Sequence, residues 1–371
     1  MSGILVHEWL TPTGGSENVF EVLVDTFPDA ERFCLWNESA GRFTGVSESI
    51  LAKTPLRRSR PLALPFMPLV WRHLPARDAD WILCSSHAFA HQARFAGPAR
   101  KAPKLVYAYT PARYIWVPDL DPRGAGPVAR LMSAALRPID RRRASEPVAI
   151  ACDSQFVRDR IARTWHREAA VIYAPVDVAR LKAADRQLTP ADQRVIDSLP
   201  ADFVLGVSRF IEYKRLDLVI AAGVAAGSPV VLAGQGPDQP RLQEIAAKHP
   251  GQVTFVGRPS DGLLRELYRR ARVVIFPPVE DFGIVPVEAM ALGTPVVSNA
   301  VGGGSETVVA GVTGAHVREW TPQEMAAAVE QASACTPQAC LDRADEFDTS
   351  VFVKAMKTWV ADNTGDEDVR P

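Results

Sequence analysis

Two glutamates separated by seven residues occur in the segment EDFGIVPVE, Glu280 to Glu288. This segment follows the apolar run Val273–Phe276 and opens a helical pattern that ends at Gly293, so the order predicts a strand, a tight loop and a helix start. A helix start offers unpaired N–H groups and a positive dipole end, which favour an anionic or polyhydroxylated ligand. Carboxylates there complement hydroxyls, which donate hydrogen bonds, better than phosphates, which only accept them. The backbone donors expected in the loop are Phe282, Gly283 and Ile284.

A basic loop lies about seventy residues upstream. The apolar run 203–207 predicts a strand, and the loop after it carries Arg209 and Lys214 before a second helical pattern begins at Leu216. Two fixed cations can stabilise the charge of a departing diphosphate without a metal ion. The alternative is a solvated basic loop. Because the paired glutamates follow downstream, we favour the functional interpretation.

A third element lies near the start of the chain, where Ile4–Leu10 predicts a first strand and Gly14 and Gly15 follow it. Glycines allow close approach of the backbone to a phosphate, and Ser16 is expected to cap a helix over 17–27. A Gly-Gly loop alone is weak evidence, since many such loops only turn the chain. Together with the other two elements, it predicts a ligand between two halves of the molecule.

These elements, with further motifs, resemble glycosyltransferase family four, and in particular bacterial O-antigen and exopolysaccharide mannosyltransferases. The resemblance extends from residue 4 to about residue 360. It implies the GT-B fold and a retaining, metal-independent transfer of a hexosyl group. The segments that carry it are His7–Thr11, Cys84–Ala88, Ala108–Val117, Val171–Asp177 and Glu280–Ala289.

The resemblance also implies roles for individual residues. Glu280 would bind the donor sugar, Glu288 the ribose, and Arg209 and Lys214 the diphosphate, with His87 facing the sugar. The expected catalytic residues are therefore Glu280, Arg209, Lys214 and His87. The donor site would further include Gly14, Gly15, Gly234, Gly257, Arg258, Phe282, Gly283 and Ile284. No cofactor is expected, because the nucleotide sugar is a substrate. No metal ion is expected either, because the resemblance implies a metal-independent transfer.

The chain departs from the family pattern in the half that would hold the acceptor. Glu8 replaces Asp, Tyr109 replaces His, Ala112 replaces Met and Val117 replaces Asp. The candidate acceptor-binding residues are Glu8, Tyr109, Arg113 and Trp116. Glu8 is also a candidate nucleophile, although attack on the same face of the sugar, with the leaving phosphate receiving the acceptor's proton, is the favoured course. The acceptor is a glycan, a lipid-linked oligosaccharide or a small natural product.

Other site patterns are less convincing. His87 and His91 are four residues apart, but no glutamate lies between them, and we interpret His91 as structural. A metal-binding D-x-D motif would be expected at the end of a strand. Asp78–Asp80 instead precedes its strand, and Asp119–Asp121 follows Pro118 in a loop, so neither is interpreted as a metal site. The loop after strand 229–233, with Gly234 and Gly236, lacks the third glycine of a dinucleotide site.

Composition favours a large cytoplasmic enzyme. The 371 residues are 47% hydrophobic with a net charge of −1, no apolar run is long enough to span a membrane, and no signal peptide is recognisable. The five cysteines lack metal-pair spacing. Residues 51–143 nevertheless hold 17 Lys and Arg against five Asp, which predicts either contact with an anionic membrane at its inner face or merely scattered surface arginines. No nucleic-acid-binding module accompanies the charge.

Alternating apolar runs and helical patterns predict an α/β protein with two Rossmann-like parallel-sheet domains facing a central cleft. We expect an N-terminal acceptor domain over 1–177, joined by a C-terminal helix near 349–363, and a nucleotide-sugar domain over 178–348. In this division, residues 178–201 are the connection and 364–371 a disordered tail.

The predicted activity is hexosyl transfer from a nucleotide sugar, with GDP-mannose as the leading donor. A UDP- or dTDP-sugar-dependent transferase acting on a small molecule is the alternative, and a nucleotide-sugar epimerase ranks lower. An NAD-dependent oxidoreductase and a non-catalytic sugar- or nucleotide-binding subunit rank lower still. The sequence does not encode the base that is bound, because backbone contacts to a base edge require no particular side chain.

Overall fold

The computed structural model describes residues 2–118, 126–183 and 188–371. The chain forms two compact units, Met1–Pro175 with Ser350–Pro371 and Val176–Thr349, which are called unit 1 and unit 2 below. Asp119–Asp121, one of the two D-x-D patterns, lies outside the described residues. None of the helices in the described part of the chain has the length and apolar character that crossing a membrane requires.

Unit 1 contains a seven-stranded parallel sheet in the order β3-β2-β1-β5-β7-β8-β9 and a small parallel pair, β4 and β6. Its strands are β1 Gly3–His7, β2 Glu31–Cys34, β3 Val46–Glu48, β4 Leu74–Ala76, β5 Trp81–Ser86, β6 Phe95–Ala96, β7 Lys104–Ala108, β8 Ala149–Cys152 and β9 Ala170–Val171. Its helices are α1 Gly15–Thr26, α2 Arg60–Ala63, α3 Met67–Trp71, α4 Arg113–Trp116, α5 Pro127–Arg143, α6 Gln155–Trp165 and the last helix of the chain, Thr349–Thr364.

Unit 2 contains a six-stranded parallel sheet in the order β12-β11-β10-β13-β14-β15. Its strands are β10 Val204–Val207, β11 Val230–Ala233, β12 Val253–Gly257, β13 Val273–Phe276, β14 Val296–Asn299 and β15 Gly314–Val317. Its helices are α7 Val178–Lys182, α8 Pro190–Ser198, α9 Leu216–Ala225, α10 Gln239–Ala246, α11 Asp261–Arg270, α12 Ile284–Met290, α13 Gly304–Thr307, α14 Pro322–Ser333 and α15 Pro337–Asp345; the last helix of the chain is accordingly α16. The expected α/β architecture with two parallel sheets is confirmed.

The order of the strands reverses direction at one place in each sheet. In unit 1, β1 lies between β2 and β5, and in unit 2, β10 lies between β11 and β13. In open parallel sheets, ligands bind beyond the carboxyl ends of the strands at such a switch point. The loops after β1 and β5, and those after β10 and β13, are therefore the places in which to look for a site.

The two ends of unit 2 are joined to each other. The N–H of Val176 donates to the carbonyl of Phe347 at 3.0 Å, and the N–H of Thr349 donates to the carbonyl of Val176 at 3.1 Å. Unit 2 is thus a continuous segment whose ends meet. Unit 1 is discontinuous, because α16 returns the chain to it.

The end of the chain packs on unit 1. The buried carboxylate of Asp366 accepts a hydrogen bond of 3.1 Å from the Trp81 indole N–H, and the ring of Phe352 lies 5.6 Å from that of Tyr107. The sequence predicts disorder in 364–371, whereas the structure gives these residues a defined conformation with a 3₁₀ helix at Glu367–Val369. The reason is the burial of the Asp366 carboxylate against a core tryptophan, which composition alone does not indicate.

Candidate active site

Unit 2 places an ion pair between the loops that follow β10 and β13. The Lys214 ammonium contacts Glu280 Oε1, and both side chains are largely enclosed, with 14% and 20% of their surface exposed. Lys214 ends a 3₁₀ helix, and Glu280 lies four residues after β13. The two residues expected to bind diphosphate and sugar therefore lie together at the switch point of the sheet, although they are 66 residues apart in the chain.

Arg209 lies in the same loop as Lys214 and is exposed. Within the described residues, no carboxylate forms an ion pair with its guanidinium. A cation that is accessible and not neutralised by the protein can accept an anionic group at little desolvation cost. The switch point thus combines one paired cation, one unpaired cation and one carboxylate.

The loops after β10, β11 and β12 are joined through their backbones. Phe210 N–H donates to the Gln235 carbonyl at 3.0 Å, and Gly234 N–H donates to the Gly257 carbonyl at 2.7 Å. A Cβ on Gly234, whose φ is +136°, would overlap the carbonyl oxygen of Ser208. Gly234 is therefore required for packing of the loop that carries Arg209, in addition to any contact it makes with a ligand. Arg258 follows Gly257 and is exposed.

The loop before α12 is shaped by glycines. Gly283 has a φ of +92° and precedes the helix, and Phe282 is buried with its ring 5.7 Å from Phe347. The N–H of Gly303 donates to the Glu280 carbonyl at 2.8 Å. Ile284 is half-buried at the start of α12. The loop after β14 thus supports the backbone on which Glu280 is carried.

Glu288 lies inside α12, where one carboxylate oxygen accepts a hydrogen bond of 2.9 Å from the Tyr268 hydroxyl. Burial raises the pKa of Glu288 above its ordinary value, and this hydrogen bond only partly offsets the effect. One oxygen of the Glu288 carboxylate is therefore engaged by Tyr268.

Unit 1 holds a second polar cluster, at the carboxyl ends of β1 and β5. Glu8 is fully buried, and its carboxylate accepts hydrogen bonds from the backbone N–H groups of Ala88 and Ala90 at 2.8 Å, and from that of His87 at 3.2 Å. The His87 Nδ1 lies 3.3 Å from Glu8 Oε2. Burial alone would raise the pKa of Glu8, but the imidazoles of His87 and His7 and these N–H groups lower it below its ordinary value.

This geometry revises the expectation for Glu8. Its oxygens are occupied by the loop over 86–90, and its side chain has no exposed surface, so it does not offer a carboxylate to an acceptor or to an anomeric carbon. Instead it holds the loop that carries His87. The His87 side chain is 24% exposed, and its ring lies edge-on to Trp9 at 4.9 Å.

A hydrogen-bonded chain beside Glu8 was not predicted from the sequence. His7 Nδ1 lies 3.0 Å from the Ser85 hydroxyl, which lies 2.8 Å from the Tyr109 hydroxyl, and that hydroxyl donates to the Ser16 carbonyl at 3.1 Å. Burial, and then the neighbouring His87, lower the pKa of His7 to about 4. The signal in the sequence is that His7, Ser85 and Tyr109 lie at or next to the carboxyl ends of three adjacent strands, β1, β5 and β7.

The side chains of the remaining acceptor candidates differ in how far they are buried and hydrogen-bonded within the protein. The Tyr109 hydroxyl is engaged in the chain just described, and the Trp116 indole N–H donates to the buried Asp140 at 2.8 Å. Arg113 begins α4 and is half-buried. His91 lies 3.1 Å from the same Asp140, in accord with a structural role. The polar atoms of Tyr109 and Trp116 are therefore already engaged within the protein.

The glycine loop after β1 also differs in detail from expectation. Helix α1 begins at Gly15 with Gly14 as its N-cap, and no side chain caps it. The Ser16 hydroxyl donates to the Glu17 carboxylate at 2.9 Å, and Thr11 donates to the same carboxylate. A Cβ on Gly14 would overlap this buried carboxylate, so the glycine is required by Glu17. Gly15 is exposed and remains accessible to a ligand.

Within the described residues, no group of three or more His, Cys, Asp or Glu side chains is arranged to hold a metal ion.

Comparison with known proteins finds similarity in the part of the chain that contains this site. The family model described as "Glycosyl transferases group 1" matches residues 194–344, which contain Arg209, Lys214, Glu280 and Glu288. The D-inositol 3-phosphate glycosyltransferase of Mycolicibacterium gilvum is 32% identical over 216 residues, which are 53% of this chain and 48% of that protein. The alpha-1,3/1,6-mannosyltransferase alg-2 of Neurospora crassa is 27% identical over 45% of this chain and 44% of that protein. The chain spans less than half of the length of these curated relatives.

Similarity in fold extends over the whole chain. Anabaena Alr3699/HepE, solved in complex with UDP, has a TM-score of 0.71 at 18% identity and covers 98% of this chain and 100% of its own. The sucrose-phosphate synthase of Thermosynechococcus elongatus has a TM-score of 0.68 at 17% identity, with 97% and 98% covered. At these identities the likeness shows the fold. Residues 194–344 thus match the glycosyl transferases group 1 model, in a chain that has the GT-B fold.

Proposed function

We propose that the protein is a retaining hexosyltransferase that binds a nucleotide sugar at the switch point of unit 2. The observation that supports this most directly is the Lys214–Glu280 pair beside the unpaired Arg209. When a donor enters, its diphosphate would replace Glu280 as the partner of Lys214, and the released carboxylate would accept hydrogen bonds from sugar hydroxyls. The apo ion pair thus keeps both groups ordered until the donor arrives.

In the proposed reaction, the bond between the anomeric carbon and the diphosphate oxygen breaks as the acceptor oxygen bonds to that carbon from the same face. The acceptor's proton passes to the leaving diphosphate oxygen. Arg209 and Lys214 stabilise the negative charge that develops there, so this scheme requires no metal ion. Unit 1 would supply the acceptor site, with His87 held in position by Glu8.

The leading donor is GDP-mannose, from the resemblance of the motifs to mannosyltransferases. The alternative is a UDP- or dTDP-sugar, because Anabaena Alr3699/HepE has been solved with UDP and with UDP-glucose. The proposed acceptor is the hydroxyl of a glycan, a glycolipid or a natural product.

The first experiment measures thermal stabilisation by GDP, UDP, dTDP and ADP, since a ligand that binds only the folded state raises its stability with occupancy. We expect one diphosphate to stabilise the protein, and Arg209→Ala and Lys214→Ala each to weaken its binding at least tenfold. Lys248→Ala is the matched control, because this exposed lysine precedes β12 at the opposite edge of the sheet.

The second experiment uses Glu280→Gln with the nucleotide sugar that corresponds to the stabilising diphosphate. This variant should still bind the free diphosphate but release it from the donor at least 100-fold more slowly than the wild-type protein. Unchanged release, or binding that is indifferent to Arg209 and Lys214, would refute the assignment. Proton NMR of the product then reports whether the anomeric configuration is retained.

A further inference from the structure

The segment 50–69 of unit 1 exposes apolar side chains to an unusual extent. Ile50, Leu62, Phe66 and Leu69 are 70%, 64%, 50% and 61% exposed. A monomeric protein rarely gathers several large apolar side chains on one surface unless they contact a partner or a membrane. Residues 50–69 are called the apolar-basic surface below.

The short helices α2 and α3 and the turn between them carry both buried and exposed apolar side chains. Ala63, Met67 and Trp71 recur every four residues and are buried in the core of unit 1. Leu62 in α2, Phe66 in the turn between α2 and α3, and Leu69 in α3 are exposed. A surface helix ordinarily turns polar residues outward, so the outward leucine and phenylalanine are not required by the fold.

The charge around these side chains has one sign. The chain contains no Asp or Glu from Ser49 to Arg77. Within residues 2–118, 126–183 and 188–371, no carboxylate forms an ion pair with the exposed cations of the surface. These cations are Lys53, Arg57, Arg58 and Arg60. Outward apolar side chains bordered by unpaired cations are typical of segments that lie on anionic membranes.

The surface is continuous with the polar cluster of unit 1. The guanidinium of Arg60 lies over the ring of Trp9 at 5.1 Å, and Trp9 in turn contacts His87 at 4.9 Å. Trp9 also stacks on Trp36 at 5.5 Å. One end of the apolar-basic surface therefore borders His87, which is proposed to face the sugar.

We propose that the apolar-basic surface docks the protein on an anionic membrane, with Leu62, Phe66 and Leu69 inserted among the lipids and the cations at the headgroups. The acceptor would then be lipid-linked, and its sugar end would reach His87 past Arg60 and Trp9. That second step rests on the function proposed above, whereas the docking itself does not.

The experiment measures co-sedimentation of the full-length protein with vesicles of phosphatidylglycerol mixed with phosphatidylcholine, and of phosphatidylcholine alone. We expect binding to the anionic vesicles only, weakening as salt rises. Leu62→Ser/Phe66→Ser/Leu69→Ser should weaken binding at least tenfold. Lys53→Ala/Arg57→Ala/Arg58→Ala should weaken it about 100-fold, since each cation near an anionic surface contributes about fivefold.

A matched control is Val312→Ser/Val351→Ser, which removes exposed apolar side chains elsewhere and should bind like the wild-type protein. Melting temperature and nucleotide binding are measured for every variant, so that loss of the fold or of the donor site is recognised separately. Equal binding of the wild-type protein and both surface variants, or no binding by any, overturns the proposal even where a nucleotide still binds. Concentration-dependent dimerisation that the apolar variant abolishes, without vesicle binding, overturns it in favour of a protein interface.

Discussion

The role assigned to Glu8 can be tested by removing its carboxylate. In Glu8→Ala, the N–H groups of His87, Ala88 and Ala90 lose their buried acceptor. Each buried donor left without a partner costs about 1–3 kcal/mol. Because the loop can partly relax and admit water, we expect the free energy of unfolding of unit 1 to fall by about 4 kcal/mol rather than by the full sum.

Glu8→Gln separates charge from shape. The amide keeps one carbonyl oxygen, which can still accept hydrogen bonds from the N–H groups of Ala88 and Ala90. These hydrogen bonds become weaker, because their acceptor no longer carries a negative charge. Hydrogen bonds to charged groups contribute about 1.5–3 kcal/mol and neutral ones about 0.5–1.5 kcal/mol, so two weakened bonds cost roughly 2 kcal/mol. The Gln NH₂ group would also face the His87 N–H, and two donors cannot satisfy each other.

The assay is urea denaturation followed by tryptophan fluorescence. Residues 9, 36, 71, 81, 116, 165 and 359 are the tryptophans of unit 1, and only residue 320 is in unit 2, so the signal reports chiefly on unit 1. Glu38→Ala, an exposed glutamate in the same unit, is the control and should change stability by less than about 0.5 kcal/mol. A Glu8→Ala protein as stable as the control, with turnover abolished, would refute the positioning role and restore Glu8 as a reacting group.

Three further outcomes follow from the structure. Burial lowers the pKa of His7 from 6.5 to about 4, so between these pH values the folded protein binds fewer protons than the unfolded chain. The free energy of unfolding, measured by urea titration, should therefore fall by about 2 kcal/mol from pH 7 to pH 5. His7→Gln should reduce this pH dependence. Gly234→Ala should lower both stability and nucleotide affinity, while Gly251→Ala, which also has a positive φ but open space around it, should cost only about 1 kcal/mol by denaturation and leave affinity unchanged. Asp366→Ala should destabilise unit 1 by about 1–3 kcal/mol, measured by the same fluorescence assay, because the buried Trp81 indole N–H loses its acceptor, and Asp366→Asn should recover part of this loss.

The sequence allowed the parallel sheets to be predicted because most of their strands are continuous apolar runs. It did not allow β2, β3 or β15 to be predicted: Glu31–Cys34 begins with two charged residues, Val46–Glu48 has a single apolar residue, and Gly314–Val317 contains a glycine and a histidine. Short strands of mixed polarity carry little periodic signal, and their pairing is decided by the neighbouring strand.

The candidate site was predictable where one loop carries the chemistry. Arg209, Lys214 and Glu280 could be named because each follows an apolar strand in a characteristic segment. The contact between Glu8 and His87 could not, because it depends on the register that sets His7 beside Ser85, across 78 residues of chain. From the sequence, Glu8 in place of the family's Asp suggests altered acceptor specificity. In the structure, its burial and hydrogen bonds show that it supports the loop that carries His87.

The joined ends of unit 2 have a consequence for synthesis of the protein on the ribosome. Residues 176–349 can complete their contacts as soon as Thr349 has emerged from the ribosome, because Val176, to which Thr349 hydrogen-bonds, has emerged earlier. Unit 1, in contrast, lacks the contacts of Phe352 with Tyr107 and of Asp366 with Trp81 until Ser350–Pro371 has been translated, although its sheet was made first. The nascent chain can therefore complete unit 2 before unit 1, although most of unit 1 is translated first.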